Sequence, residues 1–165
     1  MTIRNDFVLN LKDASVDQIG CKGANLKLIS EKSNLKIPKT LVLTTSFFKE
    51  IKKNNGLNSK NTLSYRGIVI NKELENQILS EIKNTFNDSS LVIRSSATCE
   101  DSPLLSFAGQ YSTFLNIKGR SKIIKAIKMC LASLYCKNSL FYAKNNNVNL
   151  DCESIAILIQ ELIPV

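Results

Sequence analysis

Apolar residues along this chain recur at two spacings, and the spacing changes from segment to segment. Leu74, Ile78 and Ile82, with Leu79 and Phe86 beside them, recur every three or four positions and predict an amphipathic helix over residues 71–86. Short apolar runs of strand length lie elsewhere: Phe7-Val8-Leu9, Leu41-Val42-Leu43, residues 91–95, residues 113–117 and residues 155–163. A second helix is expected behind the turn Gly20-Cys21-Lys22-Gly23, where Ala24 and Leu28, and Leu26 and Ile29, follow helical spacing. It should end before Pro38, because the residue ahead of a proline avoids the helical region. Thr45 or Ser46 is expected to cap a short helix running to Lys53. Ser121 is expected to cap a long one carrying Ile124, Ile127, Leu131, Leu134 and Tyr142 on its inner side, ended by the asparagines 145–147. Residues 54–67 are polar and turn-rich. The pattern predicts a mixed α/β (α+β) chain with two glycine-bearing loops.

Composition narrows this. A chain of 165 residues, 44% hydrophobic and 22% charged, suffices for one well-cored domain or part of a larger one. The longest apolar run, residues 155–159, is far too short to span a bilayer, and no apolar segment of secretory type follows the first residues. Five cysteines without a CxxC spacing predict free thiols in a reducing compartment, and hence a cytoplasmic protein. There is no histidine, which excludes Ser-His and Cys-His nucleophile pairs, histidine-ligated metals and a phosphohistidine within these residues. The net charge of +8 comes from dispersed lysines without interleaved stacking aromatics. It therefore predicts a solvated basic surface rather than a nucleic-acid groove.

Chemistry concentrates in the two loops. Gly20-Cys21-Lys22-Gly23 sets a lysine in a turn at a helix N-terminus, where free N–H groups and the helix dipole favour an anion. A surface lysine is the plainer alternative. Cys21 beside it is expected to be the reactive thiol, and Cys130 on the long helix an inert one. Arg94 follows the apolar Leu91-Val92-Ile93, so its guanidinium is expected at a sheet end, where a planar fork suits phosphate oxygens. A structural pair with Glu100 or Asp101 is the alternative. After Arg94 comes a run of hydroxyl and small residues, "RSSATCEDSPLLSFAGQ", with no apolar period of its own.

Taken together, "GCKGANLKLIS", "IPKTLVLTT" and "VIRSSATCEDSPLLSFAGQYSTFLNI" resemble the N-terminal ATP-binding part of the phosphoenolpyruvate synthase and pyruvate phosphate dikinase family, to which rifampin phosphotransferases also belong. "ASLYCKNSLFYAKNNNV" and "IAILIQELIPV" follow in family order, so the resemblance spans nearly the whole chain. The step Phe107-Ala108-Gly109-Gln110 favours the synthase branch. The resemblance implies an ATP-grasp fold, of which residues 1–165 would be the N-terminal portion, with ATP as ligand. It implies that Lys22 contacts the phosphates, that Arg94 clamps them as the catalytic arginine, that Thr113 lies at the phosphates and that Gln160 lies near the adenine. The hydroxyl-rich stretch would then cover the phosphates. Cys21 stands where the family has a glycine, which is expected to hinder close backbone approach. Lys39-Thr40-Leu41 replaces Pro-Gly-Phe, a change expected to affect packing more than catalysis.

The same resemblance implies parts outside these residues: the second ATP-grasp half with its Mg2+ ligands, a phosphohistidine domain and a pyruvate-binding domain. The chain alone is therefore expected to be inactive. ATP and those domains are the expected partners, with no nucleic acid and no membrane. Three readings follow: the ATP-binding portion of a pyruvate, water dikinase-like phosphotransferase, the corresponding part of a rifampin-type antibiotic kinase, or a stand-alone nucleotide-binding module without catalysis.

Overall fold

The computed structural model describes residues 6–33, 35–60, 64–98, 101–102, 105–106 and 112–163, of which 101–102 and 105–106 are described in backbone only. The elements are β1 Val8–Asn10, α1 Val16–Lys32, β2 Thr40–Leu43, α2 Thr45–Asn55, α3 Lys72–Phe86, β3 Leu91–Ala97, β4 Asp101–Ser102, β5 Leu105–Ser106, β6 Thr113–Ile117, α4 Arg120–Ser133, α5 Lys137–Asn145 and β7 Ile155–Glu161. Five strands form one antiparallel sheet in the order β1-β2-β7-β3-β6, while β4 and β5 pair only with each other. The mixed α+β class predicted from the apolar spacing is the one observed.

The long apolar run of β7 is explained by its place in the sheet. It is flanked by β2 and β3, and Ile155 through Gln160 are all buried. Directly opposed residues of antiparallel strands share a face. One face carries Leu41, Leu43, Leu91, Ile93, Ile157 and Ile159, which pack with Phe47, Phe48, Ile78 and Ile127 into the main core under α2, α3 and α4. The other carries Val42, Ala156 and Leu158, which meet Ile19 of α1 in a smaller core.

Several boundaries differ from the sequence expectation. Helix α2 is capped by Thr44, whose hydroxyl accepts from the Phe47 N–H, rather than by Thr45 or Ser46. Helix α4 starts after Gly119, at φ 85°, and Ser121 lies inside it. The long helix is two helices. At the break, the Ser133 hydroxyl donates to the Cys130 carbonyl and the Ser139 hydroxyl donates to the Ser133 carbonyl, so side chains displace the helical ladder. Cys136 then caps α5 through its sulfur.

The largest difference lies in α1. It begins at Val16 behind a Ser15–Gln18 capping box, and its two helical segments meet at a kink at Gly20, with φ 65° and ψ 178°. The glycine turn is thus a break inside a helix. Ser96 of β3 closes that break: its hydroxyl donates to the Ile19 carbonyl at 2.7 Å and accepts from the Gly23 N–H at 3.1 Å. A Cβ on Gly20 would stand 2.1 Å from the Ser96 carbonyl oxygen, so helix and strand touch backbone to backbone.

Candidate functional site

The register of the sheet gathers the expected site residues on one face. Arg94 opposes Leu158 on one side and Thr113 on the other, and Gln160 opposes both Val92 and Thr40. Arg94, Thr113 and Gln160 therefore look out of the face that α1 partly covers. Gln160 lies two residues from Leu158, about 7 Å along the strand. Toward β6 this face is open among the described residues: Thr113 is exposed and Leu115 is 64% exposed.

Arg94 is the fourth of the seven residues of β3, so it leaves the sheet through its face and not from its end as expected. It is half-buried, and its Nε is buried without a hydrogen-bond partner. It forms no ion pair with a described residue. Glu100 and the Asp101 side chain, its alternative partners, lie outside the described residues. A buried guanidinium N–H left unpaired costs about 1–3 kcal/mol, which an incoming oxyanion would relieve.

Lys22 stands just past the kink in α1, at the start of the second helical segment, and its Nζ donates to the Ser95 carbonyl at 3.2 Å. The ammonium is thereby brought to β3 at Ser95, the residue after Arg94. Cys21 is half-buried and its thiol donates to the Thr98 carbonyl at 3.2 Å. The Cys21 side chain thus turns toward Thr98, just past the end of β3. Two of the hydroxyls expected to cover phosphate do something else. The Ser95 hydroxyl donates to the Ser112 carbonyl and Ser96 ties α1 to the sheet, both inside a β3 that runs to Ala97. Residues 107–111, with the Phe-Ala-Gly-Gln step, lie outside the described residues.

Sequence reasoning missed Ser96 and Thr40. The signal for Ser96 was the pair Gly20 and Gly23, whose spacing permits close approach of a helix to a strand. Thr40 carried none, because its role depends on lying opposite Gln160. Among the described residues no group of three or more Cys, Asp or Glu side chains could hold a metal ion, and no helix is long and apolar enough to cross a membrane.

The two thiols provide a direct check. Cys130 is fully buried, and burial pushes its thiol far up, whereas Cys21 is part-exposed beside Lys22. An alkylating reagent should label Cys21 well before Cys130, and ATP should slow the labelling of Cys21. Equal labelling of both, indifferent to ATP, would place the kink away from any phosphate site.

Comparison with known proteins agrees on the family. The family described as pyruvate phosphate dikinase, AMP/ATP-binding domain matches residues 16–165. A "Probable phosphoenolpyruvate synthase" of Methanothermobacter thermautotrophicus is 27% identical over 187 residues, covering 95% of this chain and 27% of that protein. A "Rifampicin phosphotransferase" of Bacillus cereus is 27% identical over 184 residues, covering 96% of this chain and 21% of its own length. A "Phosphoenolpyruvate synthase" of Helicobacter pylori is 37% identical over 87 residues, covering 53% of the chain and 11% of the relative. The chain thus spans about a quarter or less of the length of these relatives.

Proposed function

This chain belongs to the pyruvate phosphate dikinase AMP/ATP-binding domain family, and from that premise we propose that it is the part of a phosphoenolpyruvate synthase-like phosphotransferase that holds the phosphates of ATP. The observation that carries the reading is the guanidinium of Arg94, with a buried and unpartnered Nε on a sheet face that is open toward β6 among the described residues. In this reading Arg94 grips phosphate oxygens through its planar fork, and Lys22 adds a compact positive charge from the α1 kink. Thr113, directly across from Arg94, offers its hydroxyl to the same phosphates. Gln160 takes the adenine end. Preorganised donors of this kind stabilise charge that develops on a transferring phosphoryl group.

The remaining chemistry belongs to residues outside this chain. Mg2+ would neutralise phosphate charge, but the described residues offer no ligand set for it. A histidine accepting the phosphoryl group must come from another segment, since these 165 residues contain none. An ATP-grasp arrangement would close a second half over the open face. We place the protein in the cytoplasm, on the free thiols of Cys21, Cys130, Cys136 and Cys152.

A second reading rests on the Bacillus cereus relative, matched as fully as the synthase: the acceptor would be an antibiotic hydroxyl instead of pyruvate. Both readings use the same nucleotide site. Titration of the purified chain with ATP and with adenosine, followed residue by residue by NMR, tests that site. Shifts should centre on Lys22, Arg94 and Thr113 with ATP, and adenosine should leave those three unmoved. ATP shifts confined to the opposite face, under α2 to α4, would overturn the site. Incubated with ATP and pyruvate, the chain alone should form no phosphoenolpyruvate. Formation of that product would show the accepting histidine to be dispensable.

A further inference from the structure

We propose that Thr40 is a positioning residue that locks the amide of Gln160 so that its Oε1 is offered to the base, selecting a 6-amino purine over a 6-oxo purine. The inference rests on the reading of Gln160 as the residue at the adenine end.

The lock is a directed chain of two hydrogen bonds. Thr40 Oγ1 lies 2.8 Å from the Pro38 carbonyl, which can only accept, so the single hydroxyl proton of Thr40 is donated there. What Thr40 has left for its other neighbour is a lone pair. Gln160 lies directly opposite in the register, with its amide nitrogen 3.0 Å from Thr40 Oγ1. Only the Nε2 orientation of that amide satisfies the contact, because the flipped amide would set two acceptors against each other with no proton between them. Thr40 is 6% and Gln160 5% exposed, so water cannot readily stand in for either partner.

With Nε2 turned to β2, Oε1 is the free end of the amide. It accepts no hydrogen bond from a described residue, and it is not among the fully buried unpaired side-chain atoms, so it reaches the surface. Register puts it on the face that carries Arg94 and Thr113. An adenine amino group can donate to such an oxygen. The 6-oxo group of hypoxanthine or guanine sets an acceptor against it, and neither oxygen then has a proton to share. Burial-dependent hydrogen-bond discrimination of this kind is worth tenfold or more in affinity.

The test compares ATP with inosine triphosphate, which differ in the 6-substituent, on the intact chain and three variants, with affinities read by NMR titration. The wild type should prefer ATP by about tenfold or more. Thr40→Val removes the hydroxyl at nearly constant shape and should bring the ratio close to one, whereas Thr40→Ser should preserve it. If Gln160→Ala leaves both affinities unchanged, the reading of Gln160 falls and the proposal with it. If Gln160→Ala collapses the ratio while Thr40→Val keeps it, the proposal falls alone. Should Thr40→Val fail to fold, the Gln160 side-chain amide of the wild type decides. Protons exchanging at the rate of a free glutamine amide would overturn the lock, and protected ones support it.

Discussion

Replacing Arg94 by alanine should weaken ATP binding by about ten- to a hundredfold and leave adenosine binding unchanged. A bidentate charged contact contributes about 1.5–3 kcal/mol, and adenosine has no phosphate to lose it. The structure adds a second, independent sign. The Nε of Arg94 is buried and unpartnered, so that N–H is a cost in the ligand-free protein. Removing it should leave the melting temperature unchanged or raise it slightly. If Arg94 were instead paired with Glu100 or Asp101, alanine would strand a carboxylate, lower the melting temperature and weaken both ligands alike. Calorimetric titration with ATP and adenosine, and a melting curve of each protein, separates the two roles. Lys22→Ala should follow the ATP-selective pattern with a smaller loss, because its ammonium already shares a proton with the Ser95 carbonyl.

Gly20→Ala should be more destabilising than alanine at Gly23, Gly56 or Gly119. Two costs coincide at Gly20. The backbone sits at φ 65°, ψ 178°, a region that residues with a Cβ scarcely enter, at about 1–3 kcal/mol. The added Cβ would also lie 2.1 Å from the Ser96 carbonyl oxygen and 2.6 Å from its carbon, and neither is the end of a flexible side chain. To relieve the clash, α1 must part from β3, breaking the two hydrogen bonds through the Ser96 hydroxyl. A loss of about 3–5 kcal/mol is expected, which for a chain of this size lowers the melting temperature by about 10 °C or more. Gly56→Ala is the matched comparison. Gly56 has φ 62° but nothing within 4 Å of an added Cβ, so it should lose only the left-handed penalty of about 1 kcal/mol. Equal losses at the two glycines would mean that helix and strand do not touch at Gly20. Because Lys22 rides on the same segment, Gly20→Ala should also weaken ATP in whatever fraction stays folded.

What the sequence determined by itself was local in origin. The three-and-four spacing of Leu74, Ile78, Ile82 and Phe86 suffices for α3, since that spacing is the geometry of a helix face. The apolar runs 41–43, 91–95 and 155–163 suffice for the central strands, whose near-continuous burial reflects packing on both faces. The family was legible in the motifs around Lys22, Arg94 and Gln160, because they recur as short contiguous strings. Tertiary structure decided what depends on partners distant in the chain. Nothing local distinguishes a glycine turn ahead of a helix from a kink inside one. The difference is made by Ser96, whose hydroxyl takes over the bonds broken at Gly20. Nothing local separates Arg94 at a strand end from Arg94 in mid-strand, since the strand continues to Ala97 only because β7 pairs along that whole length. Thr40 could not be tied to Gln160 across a separation of 120 positions, because the alignment of β2 with β7 is set by the packing of both sheet faces and not by either strand alone.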